Sequence, residues 1–234
     1  SDPVKDPDLL EEAIDQYTHV LELMEAAGSS SAYLAEKAHF NLGLARVLLE
    51  KYSFPETCPD PEAIEHLEQV LRARDAQPDA PVLQEIAARA SFQLGALYLN
   101  CAETQAGLGE SELAAELYDQ AETAFLQSAA LSEPPVAQPR GWLGLPIGAP
   151  PADPQELPWH RLRWEARNQL GYVFLAQAKP DEPWHYKSAI EFLLPVTAEY
   201  EREPSSMQPE VAAQAYFNLG VAYQATGAPQ AAII

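Results

Sequence analysis

The side chains best suited to chemistry in this chain are five histidines, two cysteines and an acidic N-terminal cluster. A metal or acid–base site needs such groups at spacings that converge on one point, as in His-Glu-x-x-His. His19, His39, His66, His160 and His185 show no ligand spacing. Cys58 and Cys101, 43 residues apart, argue against a disulfide framework and against structural zinc. Each reads as an inert buried thiol, because nothing basic surrounds it to hold a thiolate. Asp6, Asp8, Glu11, Glu12 and Asp15 imitate a cation site, but carboxylates in a first helical turn are satisfied by the helix dipole and water. Walker, nucleophile-elbow and Rossmann motifs are absent. The sequence therefore predicts no catalytic residue, no metal and no cofactor, and the chain reads as a non-enzyme.

The composition says what must position any binding surface. Over 234 residues, 14 Lys and Arg face 35 Asp and Glu, for a net charge of −21. Such a chain repels phosphate backbones and anionic lipid, which excludes nucleic acid as a partner. With 47% hydrophobic residues it is too apolar to stay disordered, and its 39 alanines lean helical. No apolar run approaches the roughly 18 to 20 residues of a membrane span, and Ser1-Asp2-Pro3 is no signal peptide. The expectation is a cytoplasmic protein without membrane insertion. Helical periodicity, punctuated by Pro, Gly, Ser and Asp, predicts eight helices near 7–27, 31–52, 60–76, 80–106, 111–131, 158–178, 184–203 and 208–226, with a kink at Pro195.

Two motifs alternate along these helices. The first runs small or polar residues into a Leu-Gly pair flanked by aromatics: Ala38-His39-Phe40-Asn41-Leu42-Gly43, Ala90-Ser91-Phe92-Gln93-Leu94-Gly95, Ala166-Arg167-Asn168-Gln169-Leu170-Gly171 and Ala215-Tyr216-Phe217-Asn218-Leu219-Gly220. Glycine inside a helix costs about 1 kcal/mol relative to alanine, so its recurrence calls for close approach of a neighbouring helix. The second motif sets small, large and medium residues at i, i+4 and i+7: Ala13, Tyr17 and Val20; Ala63, Leu67 and Val70; Ala121, Phe125 and Ser128; Ala189, Leu193 and Val196. One face of that kind fits a glycine notch, giving a row of helical hairpins.

These residues resemble the tetratricopeptide repeat. The nearest match is Ala215 to Gly227 followed by Ala232-Ile233, where Gly220 and Ala232 stand 12 apart as in the family. The other copies keep the Leu-Gly core but lengthen the connections to 20, 26 and 18 residues. The fold class implied is all-α, a right-handed superhelical solenoid of antiparallel hairpins, as one domain over residues 1–234. It is interrupted by a Pro-rich insertion, residues 132–158, that holds 8 of the 21 prolines. Both ends fall where a further helix is due, so a segment of a longer protein is expected.

The resemblance implies a concave groove lined by the first helix of each hairpin, with a protein or peptide segment as partner. Carried over by register, its lining is Lys37, Phe40, Asn41, Leu44 and Val47; Arg89, Phe92, Gln93, Ala96 and Leu99; Glu165, Asn168, Gln169, Tyr172 and Leu175; Gln214, Phe217, Asn218, Val221 and Gln224. Asn41, Gln93, Gln169 and Asn218 form an amide series able either to hydrogen-bond an extended backbone or to bridge neighbouring helices. A family clamp for a terminal carboxylate is disfavoured, since Glu165 and Gln169 replace its two cations. Trp142, Leu143 and Leu145 of the insertion offer a second contact surface, which either packs on the helices or meets the groove or a partner. The function expected is a protein–protein interaction scaffold that supports complex assembly. The alternative is a regulatory or sensor region of a larger multidomain enzyme or signalling protein.

Overall fold

A computed structural model describes residues 7–26, 32–53, 58–133, 161–179 and 181–227. The insertion beyond Glu133, including Trp142, Leu143 and Leu145, lies outside the described residues, as does Ala232-Ile233. The described residues form eight α-helices and no strand: α1 (Pro7–Ala26), α2 (Ala32–Ser53), α3 (Pro61–Ala76), α4 (Pro81–Leu108), α5 (Ser111–Leu131), α6 (Leu162–Gln177), α7 (Trp184–Arg202) and α8 (Pro209–Ala225).

Local chemistry sets the boundaries. Pro61, Pro81 and Pro209 open α3, α4 and α8, where a fixed φ helps and a missing N–H costs nothing. Asp60 caps α3 by accepting the Glu62 backbone N–H at 2.9 Å. Gly109, at φ 85°, ends α4 in the left-handed conformation, so α5 starts after a two-residue turn. Helix α7 runs through Pro195 to Arg202.

Each helix packs on its successor, and the even-numbered helices also meet in series, α2 on α4, α4 on α6 and α6 on α8. The two motifs explain this order, because the even helices carry Leu-Gly and the odd ones the small–large–medium face. A Cβ placed on Gly43 would lie 2.8 Å from Cγ of Leu67, and one on Gly95 2.7 Å from the Phe125 ring. On Gly171 it would run into Leu193, whereas at Gly220 it would meet nothing within 4 Å among the described residues. Leu67, Phe125 and Leu193 are fully buried, each contributing about 1.5 to 3 kcal/mol. In α1 the equivalent Ala13, Tyr17 and Val20 are only half-buried. Two reciprocal bonds lock α4 to α5: Ser91 Oγ donates to the Ala124 carbonyl and Ser128 Oγ to that of Ala88, both at 2.9 Å.

The core follows the chain as three clusters. The first two share Val47, Ile64 and Tyr98 at their margins, and the first and third share Phe192. Cys58 and Cys101 correct the expectation of two inert thiols, because they are joined in a disulfide with Cα atoms 5.5 Å apart. The bond ties the segment before α3 to the C-terminal half of α4. Spacing along the sequence could not reveal it, since the two positions meet only through tertiary packing.

His39 of α2 and His66 of α3 meet with their Nδ1 atoms 3.1 Å apart. Burial lowers both imidazole pKa values. For His39 the next causes are His66 and then Arg72, opposed by Glu65. For His66 the next is Arg46, opposed by Glu62, Glu65 and Asp60. Below the ordinary value of 6.5 the unfolded chain thus binds more protons than the folded one. Stability is full above that value and is lost as pH falls through the folded pKa values. Urea midpoints measured across this range should fall more steeply in the wild type than in His66→Gln; parallel profiles would contradict the pairing.

No helix among the described residues is long and apolar enough to cross a membrane.

Candidate functional site

Helices α2, α4 and α6 carry Leu-Gly motifs in the same register and pack in series, which sets equivalent faces side by side along one surface. Two adjoining cavities occupy it. The first, about 310 Å³, is lined by Val47 and Leu48 of α2, by Phe92, Gln93, Ala96, Leu97, Leu99, Asn100 and Glu103 of α4, by Phe125 of α5 and by Gln169 of α6. The second, about 420 Å³, is lined by Phe40 and Leu44, by Arg89, Phe92 and Gln93, by Leu162 and Glu165, and by Gln208 just before α8. Phe92 and Gln93 belong to both, so the cavities form one groove across three helices.

The helix packing also orients the groove. Phe125, the knob in the Gly95 notch, supports Phe92 edge-on with ring centres 5.4 Å apart. Tyr172 of α6 donates its hydroxyl to Glu103 Oε1 of α4 at 2.5 Å, joining the two walls. That hydrogen bond, aided by burial and by the Glu103 charge, pushes the phenol pKa up to about 12. Burial raises the Glu165 carboxyl against the opposing pull of Arg89. Arg89 itself donates to Glu85 at 2.7 Å. The lining combines apolar side chains with side-chain amides, two carboxylates and the Arg89 guanidinium. Such a surface can bind, since amides offer both donors and acceptors to a peptide backbone.

The structure brings together ten of the expected groove residues: Phe40, Leu44, Val47, Arg89, Phe92, Gln93, Ala96, Leu99, Glu165 and Gln169. The remainder line neither cavity. Lys37 is exposed, with its ammonium 5.8 Å above the Tyr33 ring. Asn41 is half-buried beside the cavities without lining either. Asn168 is buried with Oδ1 unpartnered. Asn218 is 2% exposed and accepts from Gln214 Nε2 at 3.0 Å, leaving Nδ2 unpartnered. Leu175 packs against the third core cluster. On α8, Phe217 is 68% exposed and, with Val221 and Gln224, lines neither cavity. The amide series thus reaches the groove only at Gln93 and Gln169.

As lining residues, sequence reasoning missed Leu48, Leu97, Asn100, Glu103, Phe125, Leu162 and Gln208. Glu103 carried a usable signal, since it continues the α4 lining face one turn beyond Leu99. Gln208 carried none, because the fold of the connection before α8 places it.

Compared with protein-family models, curated proteins and solved structures, the chain gives no match.

Proposed function

We propose that this chain is a tetratricopeptide-like helical-repeat scaffold, a right-handed superhelix of hairpins that holds an extended protein segment across α2, α4 and α6. The reading rests on one observation. Residues at equivalent register positions of three successive Leu-Gly motifs line two cavities that share Phe92 and Gln93. Its role is binding rather than catalysis, and Gln93 and Gln169 hold the ligand's main chain while the Phe40 and Phe92 rings take apolar side chains. The Cys58–Cys101 disulfide supports a working place in an oxidising compartment rather than the cytoplasm.

Selection of random peptides on the immobilised chain, followed by fluorescence anisotropy of those selected, tests this. The double variant Gln93→Ala/Gln169→Ala should keep its circular dichroism and bind at least about tenfold more weakly, the loss of one or two hydrogen bonds to a ligand backbone. Equal binding by wild type and variant would remove the groove from the account.

A further inference from the structure

We infer that the groove selects peptides carrying a bulky apolar side chain followed closely by a lysine or arginine; the inference rests on the groove reading above. The argument is one of charge, cavity by cavity. Among the described residues, the only ionisable one lining the first cavity is Glu103. Its Oε1 is occupied by the Tyr172 hydroxyl, a neutral donor that orients the carboxylate without cancelling its charge. In the second cavity the ionisable lining residues are Glu165 and Arg89. The Arg89 guanidinium is already engaged by Glu85, so the local balance around it is one cation to two carboxylates. Glu165 stands half-buried with no ion pair as close as that one. A half-desolvated carboxylate beside aromatic rings gains most from a cation brought in by a ligand. Phe92, which lines both cavities, takes the bulky side chain.

An acidic peptide would meet Glu103 and Glu165 with Arg89, itself paired with Glu85, as the one cation among the described lining residues, and a neutral one would leave both carboxylates under a dry ligand. Like-charge contact and unpaired burial are both penalties, so the arrangement rejects these classes as well as favouring the basic one.

Fluorescein-labelled peptides in a Gly-Ser background test this, each with Phe at one position and Lys, Arg, Gln or Glu at one of the next few. Anisotropy is read at low and high salt. Peptides with Lys or Arg should bind about tenfold tighter than the Gln isostere, and Glu peptides more weakly still. The advantage should shrink with salt and disappear in Glu165→Gln/Glu103→Gln, which retains the Phe-dependent part. If Gln and Glu peptides bind as tightly as Lys peptides, and all lose binding in Gln93→Ala/Gln169→Ala, the charge selection is overturned while the groove reading stands. If no peptide binds, or binding ignores the groove substitutions, both are overturned.

Discussion

Reduction of the Cys58–Cys101 disulfide is expected to lower the unfolding free energy by about 4 kcal/mol, the loop-closure entropy restored to an unfolded chain with a 43-residue loop. The native helices lose little, because Cys101 is fully buried in α4 and Cys58 packs against the same cluster. The effect therefore comes from the unfolded state and shows as an earlier urea midpoint in the presence of a phosphine reductant. Cys58→Ala/Cys101→Ala should reproduce that midpoint and be indifferent to reductant. Two thiols alkylated in the native protein before reduction, or a midpoint that ignores reductant, would contradict the crosslink. Asp60 follows two residues after Cys58, caps α3 and pairs with Arg46, so loss of the bond should raise hydrogen exchange first at the start of α3.

The Gly171→Leu variant is expected to be destabilised by about 3 kcal/mol, because Leu193 already fills the space that the new side chain needs. The site cannot relax cheaply. Gly171 and Leu193 are both buried where α6 packs on α7. Gly220→Ala supplies the contrast, since its Cβ meets nothing within 4 Å among the described residues and the change gains about 0.5 to 1 kcal/mol of helix propensity. Opposite signs at two copies of one motif position would show that the notch, and not glycine itself, carries the effect. A tolerated Gly171→Leu would mean that α6 and α7 do not approach as described.

The same notches explain how far the sequence alone could be read. Helix positions were legible because Pro61, Pro81 and Pro209 sit at helix starts and Gly109 at a helix end, where each residue's backbone preference is strongest. The alternation of glycine and knob foretold α2 on α3, α4 on α5 and α6 on α7, since a missing Cβ demands a specific neighbour. The disulfide was not legible: a separation of 43 residues carries no distance, and tertiary packing alone brings Cys58 to Cys101. Register also failed where its premise did. Asn168 stands where Phe40, Phe92 and Phe217 stand in the other motifs, yet it is buried. Phe217 keeps the position but lines neither cavity, because those cavities lie between α2, α4 and α6. A repeat pattern fixes which face a residue shares with its equivalents, and the neighbouring helix decides whether that face becomes floor, wall or open surface.

The groove is the central claim, and site-specific photocrosslinking tests it most directly. A photoreactive phenylalanine analogue would replace Phe92, shared by both cavities, or Leu126, exposed on α5 and lining neither. With the tightest selected peptide, the account predicts a covalent adduct from position 92 and none from position 126. Adduct formation from position 126 alone, or equally from both, would contradict it.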